Sequence, residues 1–221
     1  MERNRKTARE LAKDYITKGR PLEWFEELYK LGRFDSSLIP WADLQPNPNL
    51  TECLAKSGSI NGKIKDCLVI GCGLGDDAEY LHSLGFHVDA FDISETAIEM
   101  CKARFPKSKV KYFVDNLLNM KSKKKYDFVY EGNTLQVLPE NLRKRAIDEL
   151  PKLLKFKGKL LIVCRGREEC DDKGNMPWPL TMNELKKLMR GMKLISEEDY
   201  FDHHEQSPVR RFRLLLAEQS E

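Results

Sequence analysis

The chain has 221 residues, of which 41% are hydrophobic and 33% charged, with a formal net charge of +3. That length suits one domain with a sizeable core. The net charge is too small to argue for a nucleic-acid or membrane partner, and no apolar run approaches the length of a membrane span. Six cysteines, at 53, 67, 72, 101, 164 and 170, include no CxxC pair. Reduced core thiols are therefore expected, with neither disulfides nor a metal site.

The first twenty residues read as a charged helical arm with few apolar anchors. They lack an apolar signal core, and acids are mixed among their bases, so neither secretion nor a transit peptide is expected and the chain reads as cytoplasmic. Pro21 then opens a better helix, with Leu22, Phe25, Leu28 and Tyr29 on one face and Gly32 as its stop. The segment Phe34–Leu50 holds Pro40, Pro46 and Pro48 and reads as irregular. Trp41 within it either fills a hydrophobic gap or covers a ligand. A short helix over Leu50–Lys56 and a turn at Gly58–Gly62 lead to the first strand.

That strand, Cys67–Ile70, runs into a turn containing Gly71, Gly73 and Gly75. A helix with Ala78, Tyr80, Leu81 and Leu84 on one stripe follows and stops at Gly85. A second strand, Phe86–Phe91, ends on Asp92. The pattern is a βαβ unit with a nucleotide-binding turn. Glycines allow the sharp turn and let a ligand lie against the backbone, and the Asp92 carboxylate can accept hydrogen bonds from both hydroxyls of a ribose. A dinucleotide fingerprint would need glycine where Asp76 stands. Asp76 and Asp77 open the helix whose positive end would otherwise take a pyrophosphate, so a cofactor with a positive charge and no phosphate suits this turn better.

Ser94 and Glu95 suit a helix start, and Ala97, Ile98, Cys101 and Phe105 supply its buried stripe. A third strand, Lys109–Val114, leads into Asp115-Asn116-Leu117 at the sheet's carboxyl edge, where ligands bind and where a carboxylate or amide can accept from an exocyclic amine. Lys121–Lys125 reads as a solvated charge run. Tyr126–Tyr130 is a fourth strand, followed by Glu131-Gly132-Asn133-Thr134. Pro139 opens a helix carrying Leu142, Ala146, Leu150, Leu153 and Leu154. Lys159–Cys164 is a fifth strand, and the loop after it is long enough to carry specificity. Thr181 and Glu184 form a capping box before a helix with Leu185, Leu188 and Met189, ended by Gly191. Lys193–Tyr200 and Val209–Ala217 then pair as a hairpin, which makes the last strand antiparallel. His203 and His204 read as part of its polar loop.

The turn VIGCGLGD with the strand-end Asp92 resembles motifs I and II of class I S-adenosylmethionine (SAM) methyltransferases. The element order over residues 60–217 is similar to that fold, a Rossmann-like α/β doubly wound seven-stranded sheet with helices on both faces. The expected division is a cofactor-covering arm, residues 1–59, and a methyltransferase domain, residues 60–221. The segment PLEWFEELYKLGRFDSSLIPWADLQPNPNL resembles the aromatic-rich arm of the thiopurine methyltransferase-like and halide/thiol methyltransferase group, which folds over the cofactor. The resemblance implies SAM as cofactor, with Trp24, Trp41, Gly71, Cys72, Gly73, Asp92, Ile93, Asp115, Asn116, Leu117 and Glu131 around it. Glu131, after the fourth strand, is the candidate base or amine anchor. The usual neighbours at that motif are replaced by Gly132, Asn133 and Thr134. No Asn/Asp-Pro-Pro-Tyr/Phe or Pro-Cys motif is present, which argues against transfer to nucleobase amines or cytosine carbon. Direct in-line transfer to a small-molecule acceptor, a thiol or other soft nucleophile, is expected. Arg165, Arg167, Arg210 and Arg211 could bind an anionic acceptor. A non-catalytic SAM-binding protein and a macromolecular methyltransferase are the alternatives.

Overall fold

The computed structural model describes residues 2–56, 60, 65–188, 191–204 and 207–218. The expected turn at Gly58–Gly62 falls largely outside that set, as does the expected helical position of Met189. One seven-stranded sheet organises the chain, in the order β3-β2-β1-β4-β5-β7-β6. Its strands are β1 (Lys65–Ile70), β2 (Phe86–Asp92), β3 (Lys111–Val114), β4 (Tyr126–Gly132), β5 (Leu154–Arg165), β6 (Met192–Asp202) and β7 (Val209–Glu218). The first five run parallel, and β7 enters antiparallel between β5 and β6. The doubly wound sheet with an antiparallel end is thus the observed fold.

Alternate strand residues feed two cores. Leu68, Ile70, Val129, Leu160, Ile162, Leu214 and Leu216 point to one face. Cys67, Val69, Phe128, Tyr130, Leu161, Val163 and Leu215 point to the other. Central parallel strands are apolar on both faces because helices cover both. Helices α1 (Glu2–Thr17), α2 (Trp24–Gly32), α6 (Glu140–Glu149) and α7 (Met182–Lys186) lie on the first face. Helices α3 (Pro48–Lys56), α4 (Asp76–Ser83) and α5 (Glu95–Arg104) lie on the second.

Three boundaries depart from the sequence pattern. The first helix is anchored by Ala8 and Ala12, both buried, so small residues hold an arm that lacks large apolar ones. Helix α2 begins at Trp24, three residues after Pro21, on an uncapped turn. Leu153 and Leu154 do not continue α6: a 3-10 turn carrying Pro151 ends it, and β5 starts at Leu154. The strand then passes an irregularity opposite Tyr126–Phe128. There Gly158 is required, because a Cβ would stand 2.8 Å from the carbonyl oxygens of Lys155 and Tyr126.

The hairpin is joined to the body by charge as well as by the sheet. Arg213, buried on β7, binds Glu198 of β6 and the Asn49 carbonyl of α3. Arg211 binds Asp202 at 3.1 Å, and Asp202 also accepts from the Asn49 side chain. Among the described residues no helix is long and apolar enough to cross a membrane, and the cysteines are unpaired, five of them buried.

If the antiparallel half shares the main core, Leu214→Ala should destabilise the fold by about 2–5 kcal/mol. Phe34→Ala, at a side chain 97% exposed, should stay within about 0.5 kcal/mol. Urea denaturation of both variants measures the difference.

Candidate functional site

The carboxyl ends of β1, β2 and β4 open onto a cavity of ≈ 680 Å³. Its floor begins where β1 ends. Gly71 and Gly73 take left-handed backbone angles, φ +58 and +55, and carry the chain sharply up into α4. The Cys72 N–H donates to the Phe91 carbonyl at 2.9 Å, which ties the turn to β2. Asp92 completes the tie: its carboxylate accepts from the Gly73 N–H and the Ser94 N–H, each at 3.0 Å. Burial pushes the Asp92 carboxyl up to about 6, against the pull of the backbone N–H groups of Ser94, Gly73 and Ile93. Each carboxylate oxygen retains a lone pair, so two ligand hydroxyls can still be accepted.

Beyond Asp92 the wall continues through Ile93, Asp115, Asn116 and Leu117. Asp115 accepts from the Asn116 N–H at 2.8 Å, and the Asn116 side-chain oxygen caps the turn through the Leu118 N–H at 2.9 Å. The Asn116 amide is thereby held at the edge where an aromatic amine could sit.

An aromatic wall made by the N-terminal segment closes the side of the cavity. Trp41 lines it and donates from its indole nitrogen to the Tyr29 hydroxyl at 2.8 Å. Tyr29 and Phe25 line it too. A Cβ at position 73 would come within 3.2 Å of the Tyr29 hydroxyl and 3.9 Å of the Trp41 ring, so the turn and this wall nearly touch. Glu26 fixes the arrangement by accepting from both hydroxyls and one N–H of Ser94 and Thr96. Burial raises the Glu26 carboxyl, yet these bonds hold it below its ordinary value. Neither Tyr29 nor Glu26 carries a motif that sequence reasoning could have singled out.

Two expected contacts take different places. Trp24 is wholly buried and absent from the wall; it stacks on Phe25 at 3.9 Å and meets Trp41 edge-on at 6.1 Å. It backs the aromatic wall because the α2 face that carries Phe25 and Leu28 also turns it inward. Glu131 is also wholly buried and absent from the wall. Its Oε1 accepts the Thr134 and Leu135 N–H groups at 2.7 and 2.9 Å. Burial pushes its carboxyl up to about 7, while Oε2 has no hydrogen-bond partner among the described residues. Gly71, Cys72, Gly73, Asp92, Ile93, Asp115, Asn116, Leu117 and Trp41 all line the one cavity.

Of the four arginines, Arg165 and Arg211 line the cavity. Arg167 is spent on loop carbonyls and Arg210 on Asp199 and Glu168. The two acids opening α4 diverge. Asp76 is clamped by Arg104 through two bonds of 2.8 Å. Asp77 accepts the Asn47 N–H at 2.7 Å and faces the Tyr130 hydroxyl. His204, expected in a polar loop, reaches the cavity rim and pairs with Glu52 at 3.1 Å.

A family model described as a methyltransferase domain matches residues 67–158. Those residues carry a methyltransferase domain. An Arabidopsis thaliana protein named "Probable thiol methyltransferase 2" is 27% identical over 161 residues, covering 71% of this chain and 69% of that one. The N-methyltransferase NodS of Bradyrhizobium japonicum, solved with S-adenosylhomocysteine, superposes with a TM-score of 0.70 at 16% identity, over 88% of this chain and 98% of that one. TehB of Haemophilus influenzae superposes with a TM-score of 0.66 at 16% identity, over 84% and 65%. These two likenesses concern the fold.

The cavity of this methyltransferase fits SAM chemically. A buried carboxylate at the end of β2 suits a ribose. The acids at the start of α4 would repel a pyrophosphate but tolerate a sulfonium. Asp92→Ala should weaken SAM binding at least about a hundredfold in calorimetry, since two charge-assisted hydrogen bonds of about 1.5–3 kcal/mol each would be lost. Glu131 generates a second expectation. A buried carboxyl raised from 4.5 to about 7 holds its proton more tightly folded than unfolded. It should therefore erode stability as pH rises through that window, by roughly 3 kcal/mol. Glu131→Gln should flatten that slope in denaturation between pH 5 and 7.

Proposed function

We propose that the protein methylates a small-molecule thiol, or another soft nucleophile, by direct in-line displacement in the cytoplasm. The observation that carries the acceptor class is the relative named as a thiol methyltransferase, 27% identical over 161 residues. Free, mostly buried cysteines are consistent with a reducing compartment.

In this reading residues 60–221 form the catalytic domain and residues 1–59 its cover. Asp92 accepts the two ribose hydroxyls, and Asp115 and Asn116 meet the adenine edge between Ile93 and Leu117. The Gly71-Cys72-Gly73 backbone lies along the donor, and Trp41, braced by Tyr29 and Trp24, covers it. Glu131 holds the Thr134–Leu135 backbone and so shapes the wall after β4, in place of acting as a base. SAM supplies a methyl carbon already activated by a positive sulfur. The chain's task is then to align the acceptor and exclude water, which suits a nucleophile that reacts near neutral pH with modest help.

The test is turnover of an acceptor panel with methyl-labelled SAM: alkyl and aryl thiols, amines, carboxylates, and bulk RNA and protein. Label should pass to thiols well above the other classes. Preferential labelling of RNA, of protein, or of amines alone would contradict the proposal.

A further inference from the structure

Among the carboxylates on the cavity wall, the donor reading leaves Asp77 unused. It lines the cavity at the mouth of α4. Its neighbour Asp76 is neutralised by Arg104, whereas among the described residues Asp77 forms no ion pair. Asp77 accepts the Asn47 N–H at 2.7 Å and lies near the Tyr130 hydroxyl, which makes no hydrogen bond among the described residues. The Tyr130 hydroxyl lies so close to Gly132 that a Cβ there would overlap it at 2.3 Å. Asp77 therefore sits toward the end of β4. Asp92 ends β2, and Asp115 follows β3. In the sheet order, the β1 turn separates Asp77 from the nucleoside side. That is the side toward which an acceptor must approach.

Resting on the thiol reading above, we propose that Asp77 is the general base of the reaction. As the acceptor sulfur binds the methyl carbon, the bond from that carbon to the donor sulfur breaks and leaves its electron pair on the donor. The thiol proton passes to the Asp77 carboxylate and then to solvent. The Asn47 N–H holds Oδ1 in place, and the second oxygen is the proton acceptor.

The surroundings set the base strength. Burial drives the Asp77 carboxyl up to about 6, helped by the negative charges of Asp76 and Asp43 and opposed by the Asn47 N–H and Tyr130 hydroxyl. Elsewhere on the wall Arg211 is paired with Asp202, and His204 with Glu52. A base of this strength is ionised at neutral pH and is still strong enough to assist a thiol. The benefit is bounded. An alkyl thiol is only a few per cent thiolate at pH 7, so base assistance is worth up to about 30-fold there. For a thiol acidic enough to be ionised already, the benefit is nil.

The experiment compares wild type with Asp77→Asn, whose amide oxygen still accepts from Asn47. Three readouts are used: kcat/KM for an alkyl thiol, kcat/KM for an acidic aryl thiol, and calorimetric binding of SAM and S-adenosylhomocysteine. The variant should lose about 30-fold on the alkyl thiol at pH 7, a loss shrinking about tenfold per pH unit toward pH 8.5. It should match wild type on the aryl thiol and bind both donor ligands unchanged. The wild-type alkyl-thiol rate should stay level down to about pH 6 and fall below it, as Asp77 takes up its proton, whereas the variant's rate should fall about tenfold per unit all the way down from pH 8.5, with no break near 6. Equal losses on both thiols, or SAM binding weakened tenfold or more, would make Asp77 a positioning or donor-binding group and overturn the proposal. So would a plateau breaking near pH 6 that survives Asp77→Asn and is lost in His204→Gln. A wild-type enzyme that leaves every thiol untouched overturns the thiol reading itself. One that methylates alkyl thiols no faster than the variant overturns only the role of Asp77.

Discussion

The Asp92 carboxylate grips two backbone N–H groups, Gly73 on the β1 turn and Ser94 at the start of α5, at 3.0 Å each. Through these bonds the end of β2 dictates where the glycine turn lies. Through Ser94, whose hydroxyl donates to Glu26 at 2.6 Å, it also dictates where α2 docks. Tyr29 and Trp41 then take their places against Gly73. The floor, the far wall and the aromatic cover are thus registered to one another by a single buried acid. The same burial that makes the carboxylate costly to ionise leaves it in need of ligand donors.

Charge distribution around the cavity separates two tasks. The wall at the ends of β2 and β3 is lined by groups that accept hydrogen bonds, Asp92 and Asp115. At the start of α4 two consecutive acids have opposite fates. One is absorbed into an ion pair with Arg104, and the other remains exposed to the cavity. Such acids would oppose a phosphate ligand and accommodate a cationic donor. Glu131 is a further acid, but it is buried and turned onto the backbone N–H groups of residues 134 and 135.

Much of this was legible in the residue pattern because it is local. Apolar runs bounded by glycines give strands, and Gly71, Gly73 and Asp92 lie within one βαβ unit. The closely spaced final strands could only pair with each other. The capping box at Thr181 formed as its spacing requires. What could not be read depended on partners distant in the chain. Trp24 and Trp41 look alike in sequence, yet one faces the core and the other the cavity, because α2 packs its Trp24 face inward on the sheet. Asp76 and Asp77 are distinguished by Arg104, 28 positions from Asp76, and by the Asn47 backbone. Glu131 occupies a motif position, but its burial follows from the turn that Thr134 and Leu135 make over it. The end of α6 at Glu149, and the early start of β5, followed from Pro151 and the pairing of Leu154 with Tyr126.

The central claim is that the donor lies along the β1 turn, the end of β2 and the start of the loop after β3, beneath the Trp41 segment. Amide hydrogen exchange with and without S-adenosylhomocysteine tests it most directly. The account predicts slowed exchange at residues 71–77, 92–97 and 115–118 and across 36–47, with little change on β6. Protection confined to other regions, or none at Gly73 and Ser94, would contradict it.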